Sequence, residues 1–418
     1  MSNHAREDKG PPGRIEVATV SAPPASRATH MRKTVFLLPS FGPYVVPILD
    51  SLYDHLGPAL MVIALSYQRQ EASKVALTLG RFPRKILPGY TFPISRGHDR
   101  GCQSPFGFII APTMPGVLAC SRPDIVVSAN FNVWTLTALL MGFTTIVYWE
   151  GTHHTERTVQ RWRQTLRRWM ARRASAFVVN GKLSRRYVES LGVSPTAVVE
   201  GGLCAAPVPA EHAVQTPRRL VQGEPIRFLF VGRLIEGKGI DCLLRAAAVL
   251  RNCQPGTSAF EVVIVGDGPD RVRFEHTAHD LHLRDLVRFV GNVGYRDVWT
   301  WYADCHVFVL PTLQDNWPLV VPEAMAMGMP ILLSNRAGSA PDLLREGGNG
   351  WSFDPDRPEQ LAALCAEYLR RPSLVESHGR TSMEVVRPYT PHHAADAFLK
   401  ALNIVQRVGP GERNHTTV

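Results

Sequence analysis

Short β-rich runs alternate with helical patterns along most of the chain, and no other feature constrains the fold as tightly. V-F-L-L (35–38), L-M-V-I-A-L (60–65), I-V-V (125–127), T-I-V-Y (145–148) and F-V-V (177–179) form one set. F-L-F-V (228–231), V-V-I-V (262–265), V-R-F-V (287–290), V-F-V-L (307–310) and I-L-L (331–333) form a second. Runs this apolar belong to strands covered on both faces, and helices between them make βαβ units and parallel sheets. Between the sets, residues 205–224 are Pro-rich and polar, as a linker is. At ~150 residues per domain, 418 residues suit two such units. The pattern predicts an α/β chain of two Rossmann-like domains, residues 31–204 and 225–385, with parallel sheets facing across a cleft. Residues 1–30 read as a disordered leader, and 386–418 as a C-terminal helix, placed to cross back to the first domain, with a tail. Ligands of such folds sit at the carboxyl ends of the strands.

One stretch competes with this reading. From Ile125 to Trp149 there is no charged residue, which is long enough on paper to span a bilayer. Asn130, Asn132 and four Thr interrupt it and its ends are β-branched, so strand, short helix, strand describes it better. The first 30 residues lack the apolar stretch of a secretion signal. Seven scattered Cys without a C-x-x-C pair argue against a disulfide framework or structural zinc and fit a reducing cytosol.

The second half holds the stronger motifs. F-L-F-V-G-R-L-I-E-G-K-G runs a strand into Gly232, Arg233, Lys238 and Gly239, placing two cations and backbone N–H groups at one strand end, where a diphosphate would fit. V-V-I-V-G-D-G-P-D (262–270), with Gly266 and Gly268, has Arg271 where a dinucleotide fingerprint would have its third glycine, and V-R-F-V-G-N-V (287–293) is a further turn with Val290 and Gly291. Either is equally consistent with a tight turn. In V-L-P-T-L-Q-D-N-W-P-L-V-V-P-E-A-M-A-M-G-M-P (309–330), Asp315 and Glu323 stand eight apart, with a helical pattern following. A carboxylate there can accept two hydrogen bonds from vicinal hydroxyls such as a ribose offers. Taken alone, Glu323 reads better as an acid complementing a helix dipole.

Together these motifs resemble the retaining glycosyltransferases of family 4, whose fold is GT-B. The ordered elements are G-R-L…K-G, G-x-G-P, F-x-G-x-V and the acid-x-seven-E element with E-A-M-A-x-G-x-P. The resemblance extends through S-N-R-A-G-S-A-P-D (334–342) and E-G-G-N-G-W-S-F (346–353). It implies that Arg233 and Lys238 bind the donor diphosphate and that Glu323 binds the nucleotide ribose. It also implies that Asp315, where the family usually has Glu, contacts the donor sugar. Gly232, Gly266, Gly268, Val290 and Gly291 would belong to the donor site, with Trp317, Leu319 and Val320 in the turn facing sugar and phosphate. Asp315 is one methylene shorter than Glu, and Pro318 has no N–H where the family often has glycine.

In the first half, Y-W-E-G-T-H-H-T-E-R (148–157) offers Glu150, His153 and His154 as catalytic candidates. A histidine can orient a sugar hydroxyl or bind phosphate, and Glu150 can polarise an acceptor. Zinc is a rival for the histidines, though adjacent ones do not easily point at one ion. P-S-F-G-P-Y (39–44) stands where the family has its glycine-rich acceptor loop, with Gly42 as its only glycine. F-D-P-D-R-P-E (353–359) contains D-x-D, but Asp356 precedes a helical pattern and reads as a cap. The resemblance implies no metal: Arg, Lys and backbone amides stabilise the leaving diphosphate.

Residues 156–173 carry seven Arg, with Val159, Trp162, Leu166, Trp169 and Met170 at helical spacing on one face. This helix either packs on a sheet with its Arg solvated, or lies on an anionic membrane, and the two are compatible. The formal charge of +10 also raises nucleic acid as a partner, but no stacking platform or binding motif supports it.

The expectation is therefore a cytoplasmic enzyme, peripheral to the inner face of the cell membrane. It would move a sugar from a nucleotide-sugar donor to a hydroxyl of a glycan, lipid-linked saccharide or small molecule, with retention and no cofactor. The work would be cell-surface polysaccharide or glycolipid assembly. Glycosylation of a soluble natural product, a GT-B epimerase or synthase, and an inactive nucleotide-sugar binder are the alternatives.

Overall fold

The computed structural model describes residues 32–38, 44–66, 80–93, 107–213, 217, 220–221, 223–253 and 260–407. Arg32–Val418 form one compact unit. The strands are β1 (Thr34–Leu38), β2 (Leu60–Ser66), β3 (Arg84–Pro88), β4 (Tyr90–Pro93), β5 (Gly107–Ile110), β6 (Ile125–Ala129), β7 (Thr144–Trp149), β8 (Ala176–Val179) and β9 (Val198–Glu200). They continue with β10 (Ile226–Val231), β11 (Phe260–Val265), β12 (Val287–Gly291), β13 (Val307–Leu310), β14 (Ile331–Ser334) and β15 (Gly350–Phe353). Two parallel sheets result, in the orders β3-β2-β1-β6-β7-β8-β9 and β12-β11-β10-β13-β14-β15, with β4-β5 as a separate antiparallel pair.

Both sheets reverse their winding beside the first strand of each half, between β1 and β6 and between β10 and β13. At such a reversal the loops leaving the carboxyl ends diverge and open a crevice. The crevice in the second sheet is therefore walled by the turns after β10 and β13, which carry the 232–239 and 311–317 motifs. In the first sheet the corresponding wall includes Asn130, which follows β6, and residues 39–43 with Gly42 lie outside the described residues.

The uncharged stretch 125–149 folds as β6, helix Val133–Leu140 and β7. Asn132 caps that helix, its Oδ1 accepting from the N–H groups of Trp134 at 2.9 Å and Thr135 at 3.1 Å. β6 and β7 are buried almost throughout, so the apolar run is a covered strand pair. Among the described residues no helix is long and apolar enough to cross a membrane.

The last helix, Pro391–Arg407, packs on helix Val45–Leu56 and on β7, β8 and β9. Ala394, Ala395, Ala397, Phe398, Ala401, Leu402 and Val405 form its buried face. The Phe398 ring lies 5.4 Å from Phe36 and 5.6 Å from Tyr148. The last of the described helices is thus part of the first half's core.

The basic helix spans Arg161–Arg173, shorter than the pattern suggested, and Val159 precedes it. Met170 and Ala171 are buried, but Trp162 is 52% exposed, so only part of the apolar face packs. Nor are all its arginines solvated. Arg167 pairs with Glu156, donates to the Tyr187 hydroxyl at 2.8 Å, and lies over the Trp149 ring at 5.1 Å. Arg161, Arg168, Arg172 and Arg173 are exposed.

Candidate functional site

The glycine turns of the second half are where backbones meet. Gly266 has φ +131°, and its N–H donates to Gly291 O at 2.8 Å. Gly239 has φ +68°, and a Cβ there would stand 1.9 Å from Pro311 O. Only glycine lets the turn after β10 lie this close to the turn after β13. The two turns are then fastened: Leu313 N–H donates to Gly237 O at 2.9 Å and Thr312 Oγ to the same oxygen at 3.1 Å. This brings Lys238 onto Asp315 as an ion pair. Arg233 lies exposed on the same turn, and Gly232, Gly268 and Val290 sit at the adjoining strand ends.

Asp315 is held from behind as well. Its carbonyl accepts from Gly338 N–H at 3.0 Å, and a Cβ at Gly338 would stand 1.8 Å from Asn316 O. The glycine of S-N-R-A-G-S thus serves loop packing. Trp317 is buried with its ring 5.8 Å from Tyr389, on the inner side of its loop, while Leu319 and Val320 are half-buried at the start of helix Val320–Ala326.

Glu323 lies on that helix and is only 7% exposed. Tyr302, fully buried on helix Val298–Asp304, donates its hydroxyl to Glu323 Oε2 at 3.0 Å. Burial pushes the Glu323 carboxyl up to about 7, against the smaller opposing pull of the Tyr302 hydrogen bond. The same burial and the neighbouring carboxylate hold the Tyr302 phenol well above its ordinary value. A carboxylate accepts at two oxygens, so with Oε2 held by Tyr302, Oε1 retains its acceptor capacity. The sequence pattern contained no signal for Tyr302, which resembles any core aromatic until its partner is known. Tyr302→Phe is expected to leave the fold intact and, where Glu323 receives a ribose as the family resemblance implies, to weaken nucleoside diphosphate binding several-fold, since the lost bond that orients the carboxyl is worth about 1 kcal/mol; calorimetric titration measures it.

In the first half, Glu150 follows β7 and lines a cavity of about 310 Å³ with Tyr44, Asn130, Tyr148 and Phe398. Burial raises its carboxyl above the ordinary carboxylate range, with the Tyr148 hydroxyl pulling the other way. The single proton of the Tyr148 hydroxyl is donated to Asn180 Oδ1 at 2.8 Å. The phenols of Tyr44 and Tyr148 are raised by burial and by Glu150. The two histidines diverge. The His153 ring stands edge-on to Tyr187, 5.3 Å between centroids. His154 Nε2 donates to Leu313 O at 2.9 Å. Beside it, Arg157 donates to Gln314 Oε1 at 2.8 Å, so the 150–157 loop crosses to the Asp315 loop. Asp356 is no helix cap. It pairs with Arg336, and Arg357 occupies the cap position of helix Pro358–Arg370 without a side-chain bond. Among the described residues, one His/Asp group has the spacing of a metal site, and it lies on helices Val45–Leu56 and Pro391–Arg407 rather than on these loops.

Residues 215–383 match the family model described as glycosyl transferases group 1. A D-inositol 3-phosphate glycosyltransferase of Streptomyces griseus is 31% identical over 175 residues, 40% of this chain and 37% of that protein. The amylovoran biosynthesis glycosyltransferase AmsK of Erwinia amylovora is 30% identical over 147 residues, 34% of this chain and 35% of that one. The chain therefore matches little more than a third of the length of these curated relatives. Among solved structures, HepE of Anabaena in complex with UDP superposes with a TM-score of 0.68 at 15% identity, covering 89% of this chain and 99% of that one. The apo lipopolysaccharide outer core galactosyltransferase WaaB gives 0.66 at 14%, covering 88% and 99%. The architecture of the chain is GT-B.

Proposed function

We propose, for a chain whose second half carries a group 1 glycosyl transferase domain, that it transfers a sugar from a nucleotide-diphosphate donor to an acceptor hydroxyl with retention of configuration. The observation that carries this reading is the buried Glu323 carboxyl, oriented by Tyr302, on the helix that follows the Lys238–Asp315 pair. Glu323 accepts the ribose hydroxyls, Lys238 and Arg233 take the diphosphate, and Asp315 meets the donor sugar. The anomeric C–O bond to phosphate breaks with its electron pair leaving on the diphosphate. The acceptor oxygen forms its bond on the same face, and its proton passes to the departing phosphate oxygen. The cations hold the charge that develops there. Glu150 and the cavity beside it form the acceptor side. HepE was solved with UDP, which makes uridine diphosphate sugars the first donors to try.

The reading is tested by thermal shift with UDP-, GDP- and ADP-sugars, followed by release of the free nucleotide. At 100 times Kd a true donor stabilises the fold by about 2.7 kcal/mol. Binding without nucleotide release in the presence of glycan, lipid-linked and small acceptors would reduce the chain to a nucleotide-sugar binder.

The acceptor belongs to polysaccharide or glycolipid assembly at an anionic membrane, in keeping with the exposed Arg161, Arg168, Arg172 and Arg173 and the half-exposed Trp162 on one helix. Each such Arg contributes ~1 kcal/mol near anionic lipid, screened over roughly 8 Å at physiological salt. Binding to anionic vesicles is expected to fall steeply with added salt. Reversing Arg161, Arg168 and Arg172 to Glu should abolish it while turnover on a short soluble acceptor persists. Equal sedimentation with neutral and anionic vesicles would favour a soluble acceptor.

A further inference from the structure

His55 lies in the last turn of helix Val45–Leu56, while His392 and Asp396 stand one turn apart at i and i+4 on helix Pro391–Arg407. One ligand atom from each of the three lies within 4.8 Å of the others. The imidazole rings are 5.3 Å apart between centroids, tilted by 37°. Two imidazoles and a carboxylate form a donor set suited to zinc and its neighbours in the first transition row.

The hydrogen bonds around the rings fit that use. His55 Nδ1 lies 2.9 Å from the Ser51 carbonyl oxygen, which can only accept, so Nδ1 bears the proton and Nε2 keeps its lone pair. His392 Nδ1 lies 3.1 Å from Ser51 Oγ, which can accept from it in the same way. Metal-binding histidines are commonly fixed by such a bond at the far nitrogen, which sets both tautomer and ring orientation. Here one residue, Ser51, serves both rings. Asp54, next to His55, is already neutralised by its two-pronged pair with Arg81, so the donors of the site are the three side chains themselves.

We propose that His55, His392 and Asp396 bind a divalent transition cation, zinc being the best fit, which fastens the last helix to the first helix of the first half. Ligands about 2.0–2.2 Å from a tetrahedral zinc stand roughly 3.4 Å apart, so the three side chains close in slightly on the ion. Both histidines are exposed and Asp396 is half-buried, which leaves the fourth position to water. The site is separate from the donor loops and plays no part in the transfer. Its consequence is mechanical, because the helix it anchors also carries Phe398, a wall of the cavity beside Glu150.

The test uses the full chain without a polyhistidine tag, stripped with a chelator and titrated with zinc chloride by calorimetry. One zinc per chain at micromolar concentration is expected. His55→Ala and His392→Ala should each weaken it at least tenfold, and Asp396→Asn several-fold, with unchanged circular dichroism because the histidines are exposed. Hydrogen exchange should slow on zinc addition in both 45–56 and 391–407. Protection confined to 391–407, or full affinity in His55→Ala, would mean a chelate within one helix and overturn the proposal. Absence of binding at micromolar zinc would overturn it too.

Discussion

Lys238→Ala is expected to lower donor affinity at least tenfold and turnover roughly a hundredfold. Two losses combine in one substitution. The first is the charge-assisted contact with the diphosphate, about 1.5–3 kcal/mol. The second follows from the ion pair with Asp315, whose side chain is only 15% exposed. Without Lys238 that carboxylate stands uncompensated where an anionic donor is to bind. The fold itself should be little affected, by ~1 kcal/mol or a few degrees in Tm, because the pair retains access to solvent. The double variant Lys238→Ala/Asp315→Ala separates the two terms. Relative to Lys238→Ala it should regain affinity for the free nucleoside diphosphate, since the repulsion is gone, while transfer stays lost with the sugar contact. Donor Kd measured by titration decides the matter. A Kd unchanged in Lys238→Ala would remove this residue from the phosphate site.

The second large effect is a pH dependence centred on Glu323, whose carboxyl sits at about 7. A protonated carboxyl accepts fewer hydrogen bonds than a carboxylate. Between pH 8 and pH 6 the ionised fraction falls about tenfold, and affinity for a nucleotide sugar should fall with it. A nucleotide sugar suits the measurement because its diphosphate diester has no proton to lose in this range. For the ligand-free protein the sign is opposite. The carboxyl ionises near its ordinary 4.5 in the unfolded chain but near 7 in the fold. Its contribution to stability is thus fully present below the lower value and is lost as pH rises through the higher one. That contribution is on the order of 3 kcal/mol. Glu323→Gln should flatten both profiles, stabilise the empty protein at pH 8 and weaken the free nucleoside diphosphate along with the sugar-bearing ligand. If only the sugar-bearing ligand responds, Glu323 belongs to the sugar end of the site.

Most central strands were legible because burial on both faces leaves a near-continuous apolar run. The strands missed lie at edges: β3 and β9 border the first sheet and β15 the second. β3, R-K-I-L-P, is largely exposed, so its residues answer to solvent and carry no apolar signature. The antiparallel pair β4 and β5 also escaped notice. In the candidate site, the convergence of Lys238, Asp315 and the Glu323 helix was legible since each stands in a motif that follows a strand. Tyr302 was not, because its role comes from a contact across 21 residues that no local spacing encodes. Nor was the divergence of His153 and His154, since neighbouring side chains leave a loop in directions that only its backbone fixes. Arg167 misled for the converse reason: a basic helix suggests solvated charge, and this one turns inward to Glu156 and Trp149.

The bond from His154 to Leu313 is asymmetric in what it asks of each partner. It is received by a main-chain oxygen, which every amino acid at 313 would supply equally, whereas the donor is one ring nitrogen. Sequence drift at 313 therefore leaves the bond between the two halves untouched, and drift at 154 severs it. Of the bonds that tie the 150–157 loop to the Asp315 loop, this one therefore depends on the residue at 154 alone, whereas the bond from Arg157 to Gln314 depends on both of its side chains.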